Sequence, residues 1–385
     1  MRVVGVVTEY NPFHNGHRYH LEQARSLTHA DVVVAVMSGN FVQRGEAALL
    51  DKWHRANEAL HNGADVVVEL PFHWAVQPAH LFAEGALRLL SALQAQTMVF
   101  GAEHPETDFT ALAQVQIDDA AAFKTFDQTY ATQFTSQLAE KTGFLLDQPN
   151  DILSYGYAVA NANLDHPLTL QPLKRQGQGY HDEDLTTATT AFASATALRT
   201  ALFNQKSQAE LAPYVPATTL ADLTAADVTP QAGWSAAMWQ LLRHTLLMTP
   251  IEELGQIYQM AEGLEYRMKE AAERHQTYSD LMDAIKTKRY TYSRLQRVCL
   301  YTLLHATAAE MTPPQADYLR LLGFTPTGQA FLNQYKKQFT LPVVNRFDQK
   351  LKHATLNLDY RAGMLYEMLT GVPQDFRHDP LRVNP

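Results

Sequence analysis

MRVVGVVTEYNPFHNGHRYHL, residues 1–21, reads as strand, polar turn and helix. Val3, Val4, Val6 and Val7 form a β-branched run interrupted only by Gly5, the composition of a strand buried on both faces of a parallel sheet. The turn from Glu9 to Asn15 crowds a charge, two Asn and a Pro together, after which HRYHLEQARSL resumes at helical spacing. A helix starting near Gly16 leaves its first backbone N–H groups unpaired and carries a partial positive charge there, which makes an anion site. Gly16 has no Cβ to hold a nucleotide off the backbone. His14 and His17 lie three apart across the helix start, so both imidazoles can face one phosphate and donate to its oxygens as charge builds.

Outward from this unit the same alternation repeats. Residues 30–37 (ADVVVAVM) read as a second buried strand, and SGNFVQRGE after it as a polar loop at a strand's carboxyl end. Ligands bind at that edge of open α/β sheets. The loop therefore offers Ser38, Gly39, Asn40, Gln43 and Arg44 to a substrate, and Arg44 can hold a carboxylate or phosphate through two parallel hydrogen bonds. A helix over 52–62 closed by Gly63, a strand over 65–70, a helix over 81–93 and a strand over 97–101 follow. Two helices are expected within 109–143, another starting at Asn150 and Asp151, and a fifth strand over 168–175. Strands separated by helices predict an α/β fold, a doubly wound parallel sheet. Further on, SATALR sets Ser194, Thr196 and Arg199 at a helix start, where hydroxyls can cap and can also meet phosphate. Lys174 and Arg175 on one side of GQG, and Tyr180, His181 and Asp182 on the other, are candidates to close on polyphosphate, Arg175 foremost.

Composition narrows the class. The 385 residues suffice for two domains, and 46% hydrophobic with 18% charged residues is ordinary for a globular protein. No apolar run approaches the 18 residues of a membrane span, and the short run before Glu9 does not fit a signal peptide. Cys299 is the only cysteine, which excludes an intrachain disulfide and a cysteine-rich metal site. A cytoplasmic protein is expected. The scattered His, without HExxH, argue against a protein-held metal, and the absence of GxSxG together with the apolar surroundings of Cys299 argues against a covalent nucleophile.

The net charge of −9 is unevenly spread. From Tyr266 onward 17 Lys and Arg face 11 Asp and Glu, while the preceding residues carry 14 against 29. Residues 205–233, rich in Ala, Thr, Pro and Asp with weak periodicity, read as a linker. The expected organisation is thus a catalytic domain over 1–204, the linker, and a mainly α-helical, basic region over 234–385. Within the last, KTKRYTYSRLQR interleaves basic residues with tyrosines. Phosphate contacts from Lys286, Lys288, Arg289, Arg294 and Arg297, and stacking by Tyr290, would suit a structured RNA loop.

GVVTEYNPFHNGH, MSGNFVQRGE, NGADVVVELP, FGAE, PNDIL, YHD, SATALR and TKRYTYSRLQR occur in this order over about three quarters of the chain. Together they resemble the tRNA(Met) cytidine acetate ligase family, and NPFHNGH resembles the HxGH signature of the wider nucleotidyltransferase superfamily with its Rossmann-like domain. The resemblance implies that ATP, bringing its own Mg2+, and acetate form acetyl-adenylate and pyrophosphate. The acetyl group then passes to N4 of the wobble cytidine of elongator tRNA(Met). It further implies an ATP site of Val7, Thr8, Glu9, Tyr10, Asn11, Pro12, Phe13, Asn15, Gly16, Leu21, Gly101, Asn150, Arg175, Ser194, Thr196 and Arg199, with His14, His17 and Arg175 as the catalytic groups. Two other readings stay open at this point: adenylylation of a phosphorylated small molecule, and an ATP-sensing RNA-binding protein without catalysis.

Overall fold

The computed structural model describes residues 1–117, 130–174, 191–204, 207–225, 234–312, 317–353, 356–376 and 378–384. β1 (Val3–Thr8), β2 (Val32–Ser38), β3 (Val66–Leu70), β4 (Thr97–Ala102) and β5 (Thr169–Lys174) lie parallel in the order β5-β4-β1-β2-β3. All five match the strands expected from the apolar runs. Their valines divide by parity: Val32, Val34, Val66 and Val68 pack on one face against Leu87 and Leu90 of the helix Ala79–Ala92. Val4, Val6, Val33 and Val67 pack on the other against Leu21 of α1 (Asn15–Thr28) and Leu60 of α2 (Lys52–His61). Helices on both faces explain why the strands are apolar throughout rather than alternating.

β1 has β2 on one side and β4 on the other, so the chain reverses its winding there. The helix after β1 and the one after β4 leave on opposite sides, and the carboxyl ends of these two strands open a crevice. Among the described residues no helix is long and apolar enough to cross a membrane.

The remainder of the chain departs from the expectation in two ways. First, the described residues after 234 are mainly helical, yet they return to the sheet: β6 (Leu319–Phe324) pairs antiparallel with β3, and the two-residue strands β7 (Val343–Val344) and β8 (Leu381–Arg382) pair with β6. The sequence hid β6 because Arg320 breaks its apolar pattern, although that arginine is buried. It pairs there with Glu69 on β3 (3.1 Å) and Asp375 (2.7 Å), and Lys52 on α2 reaches the same two carboxylates (3.1 and 2.9 Å). All four side chains are between 1% and 5% exposed. Two cations and two anions close on each other, so the seam between the early and late chain carries no net charge.

Second, residues 207–225, the described part of the expected linker, are not bare. They hold the helices Gln208–Leu211 and Ala217–Ala225, with Leu211, Val215 and Leu223 buried. Helices this short show too few turns to register as periodicity. The helical region also shares its core with the catalytic part: Phe41, Phe72 and Val76 pack with Trp239, Leu242, Cys299, Tyr301 and Tyr366. Residue 234 therefore does not separate two cores.

Candidate active site

The turn after β1 builds its own geometry. His14, in extended conformation, caps α1: its Nδ1 accepts from the Gly16 amide (3.0 Å), and the His17 Nδ1 accepts from the His14 amide (3.3 Å). Two imidazoles thus do what a Ser and a Glu do in the usual capping box. With each Nδ1 accepting from a backbone N–H, the neutral ring carries its hydrogen on Nε2. The rings stack at 3.7 Å, and Tyr10 and Phe13 wedge His17 from 4.8 and 5.6 Å. Gly16 has a reason beyond ligand access. A Cβ there would sit 2.8 Å from His14 Cε1, so a larger residue would push the ring out of place.

The crevice is a cavity of about 320 Å³. Val7, Thr8, Glu9, Tyr10, Asn11, His14, Gly16 and His17 line it from the β1–α1 turn, and Gln43 and Arg44 from the loop after β2. Gly101 at the end of β4, Asn150 in the helix Pro149–Ala162, Lys174 at the end of β5, and Ser194, Thr196 and Arg199 complete the wall. Residues scattered over nearly 200 positions meet in one hollow. Ser194 caps the helix Ala195–Phe203 by accepting from the Ala197 amide, and Arg199 donates to the Asn11 carbonyl (2.8 Å), tying the two phosphate-type motifs together.

Several expected residues serve elsewhere. Phe13 and Leu21 are fully buried in the core, the apolar complement of the turn, and Pro12 is not on the wall. Asn15 uses its amide to hold the carbonyls of Ala191 (3.1 Å) and Pro213 (2.9 Å). Ser38, Gly39 and Asn40 lie behind the wall: Asn40 receives the Lys52 amide on Oδ1 and donates to Gln374. Arg175, Tyr180, His181 and Asp182 fall outside the described residues.

Two groups were missed. Arg55 is fully buried and its guanidinium grips the carbonyls of Glu9 (2.6 Å), Ser38 (3.1 Å), Gly39 and Leu50 (2.9 Å), fixing the two loops that form the wall. Nothing in WHRANEA distinguishes it from a surface helix arginine. Asp151, next to Asn150, accepts from the amides of Glu103 (2.9 Å) and His104 (3.1 Å) and so shapes the chain after Gly101. Here the PNDI pattern was a signal. Glu9 is the one carboxylate of the turn. Burial pushes its carboxyl up, while the Gln43 amide (2.6 Å) and the charges of Arg44, Arg55 and Arg199 pull it down without offsetting the burial.

The basic run divides. Lys286, Lys288 and Arg289 are exposed in the turn before the helix Tyr292–Leu303. Tyr290 is not available as a stacking platform: it is 5% exposed, donates to Glu262 (2.7 Å) and carries Arg294 on its ring (4.5 Å). Arg297 is buried on the inner side of the helix. Helical rotation, invisible in a count of charges, turns part of the run inward.

The family profile described as HIGH Nucleotidyl Transferase matches residues 1–379. The tRNA(Met) cytidine acetate ligase of Lactiplantibacillus plantarum is 50% identical over 384 residues, covering 100% of this chain and 99% of that protein. Its counterpart in Limosilactobacillus reuteri is 47% identical and covers both chains in full, at 100% each. Crystal structures of Thermotoga maritima TmcAL, one apo and one bound with alpha-thio ATP, superpose with TM-scores of 0.88 and 0.87 at 29% and 28% identity, over 100% of both chains. A match of this extent in sequence, coupled to the same fold, makes the chain a member of the tRNA(Met) cytidine acetate ligase family within the HIGH nucleotidyl transferases.

Proposed function

We propose that this chain activates acetate with ATP, forming acetyl-adenylate and releasing pyrophosphate, and then transfers the acetyl group to N4 of the wobble cytidine of elongator tRNA(Met). The observation that carries the reading is the pair of stacked, Nε2-protonated imidazoles at the amino end of α1, on the wall of a crevice that Gly101, Asn150 and Arg199 share. An acetate oxygen must attack the α-phosphorus in line with departing pyrophosphate. The protein supplies alignment and charge neutralisation rather than a nucleophile.

His14 and His17 donate to the phosphoryl oxygens as charge accumulates, at no cost in reorientation because the capping box already holds them. Arg199, with Arg175, takes the polyphosphate. In the second step the cytosine amine attacks the acetyl carbon, the acyl–phosphate bond breaks, and AMP leaves with the electron pair. A cytidine in an anticodon loop needs little unpairing to enter. The oxygen donors on the wall, the Glu9 carboxylate and the Asn150 amide, are of the type Mg2+ takes, and the ion would neutralise polyphosphate charge. The exposed Lys286, Lys288 and Arg289 supply salt-dependent attraction for the RNA. The site of action is the cytoplasm, where ATP and tRNA are found together.

The test is incubation with ATP, labelled acetate and elongator tRNA(Met), followed by nucleoside analysis. N4-acetylcytidine is expected. Pyrophosphate release that ignores acetate would sink the reading in favour of another adenylyl acceptor.

A further inference from the structure

Arg297 is an anomaly in the energetics of the fold. It is 7% exposed, its Nε has no hydrogen-bond partner, and among the described residues it forms no ion pair with a carboxylate. The guanidinium donates to the hydroxyl oxygen of Tyr301, a neutral partner that gives its own proton to the Val76 carbonyl. A buried cation without an anion is among the least favourable arrangements a protein can hold. The chain accepts it where four other buried charges, at the β3–β6 seam, are paired off.

Its position indicates what completes it. The preceding residue, Gln296, donates to Glu46 on the cavity wall (2.8 Å). Gly45, in the left-handed region at φ +81, lies so near that a Cβ would come within 2.8 Å of the Arg297 Cα. The charge of Arg297 also acts on His80, the neighbour of the wall residue Ala79. The guanidinium therefore sits where the loop after β2 and the amino end of the helix Ala79–Ala92 meet the helical region. The β4 and β5 ends of the cavity, where Gly101 and Lys174 lie, belong to the sheet. The exposed basic turn is on the same stretch of chain as Arg297, so an RNA held there brings its backbone to this margin.

We propose that Arg297 receives one backbone phosphate of the tRNA, the one adjoining the cytidine whose base enters the cavity. This rests on the acetyl-transfer reading above. The fork of a guanidinium matches two phosphate oxygens, and the phosphate supplies the missing counter-charge. Acetate is the competing anion, but it must meet the α-phosphorus beside the two imidazoles, and Arg44 on the wall serves it there.

The experiment uses full-length enzyme and tRNA(Met) assembled with a single neutral methylphosphonate on either side of the cytidine. For the wild type, one of the two substitutions should raise the KM for tRNA roughly ten- to a hundredfold, the range for losing a hydrogen bond to a charged group. Arg297→Met should raise it by a similar factor on natural tRNA and then be indifferent to that methylphosphonate. Arg297→Lys should recover part of the loss. Because removing an unpaired buried charge relieves the free protein, the melting temperature of Arg297→Met should equal or exceed that of the wild type. A mutant that keeps the full methylphosphonate penalty overturns the assignment. So does a rise in the KM for acetate in its place, or a lower melting temperature with both half-reactions falling together. A wild type that makes no N4-acetylcytidine would instead overturn the function itself.

Discussion

Buried charge occurs in two forms in this protein. At the β3–β6 seam Lys52, Glu69, Arg320 and Asp375 pair their charges with one another out of reach of water. Around the crevice the charges are left open: Glu9 is held by one amide and three nearby guanidinium charges, and Arg297 has no carboxylate partner among the described residues. A closed set contributes to a unique docking of the late chain on the early one. An open set does nothing for folding, and its cost is offset only when a ligand arrives. The contrast separates architecture from chemistry without reference to any substrate.

The largest effect expected at the closed site is on stability. Arg320→Met leaves Glu69 and Asp375 with only Lys52 between them, and unfolding in urea should show a loss of about 3–5 kcal/mol. A variant as stable as the wild type would mean that the seam is not closed in solution. At the open site the largest effect is on rate. His17→Ala should slow acetate-dependent ATP–pyrophosphate exchange roughly 100- to 1,000-fold. Its loss of capping should cost only about 1 kcal/mol in stability. Equal exchange rates in mutant and wild type would remove the imidazole from the chemistry.

A smaller effect sharpens the comparison through pH. Asp51 caps α2, and although burial pushes its carboxyl up, hydrogen bonds and charge from His54 and an amide from Gln374 hold it at about 2. The folded value lies below the ordinary one of 3.8, so the stabilisation is complete at neutral pH and is lost as pH falls from about 5 toward 2. The stability gap between wild type and Asp51→Asn should be about 2 kcal/mol at pH 7 and shrink over that window. A gap that stays constant with pH contradicts the charge-based account. The smallest effect belongs to Cys299, fully buried, with its thiol pushed up to about 12 by desolvation. Cys299→Ala should cost about 1 kcal/mol at most and should still acetylate tRNA. Loss of the acetyl-transfer step alone would revive a thioester route.

Much of the site was legible because its parts are local. The run Val3–Val7, the turn and HxGH are contiguous, and a helix start places His14 and His17 together by backbone geometry alone. The same holds for Ser194 and Arg199, whose helix begins where the cap residue says it should. Arg55 could not be read this way, since its partners are carbonyls from two loops, far from it in sequence or structure-dependent in position. Phe13, Leu21 and Asn15, which the resemblance put in the ATP site, do not line the cavity: the two apolar side chains are buried in the core and the Asn15 amide holds two carbonyls.

From its letters alone the chain specifies five strands alternating with helices, a polar loop at the carboxyl end of a strand, and the imidazole pair, because each depends on periodicity or spacing within a few residues, whereas the crevice between β1 and β4 depends on the strand order. Contacts between distant segments specify the rest: β6 and its buried arginine, the packing of 207–225, and which side of the basic helix looks inward. A side chain's neighbours across hundreds of residues follow from how surfaces fit, and no window along the sequence contains both surfaces.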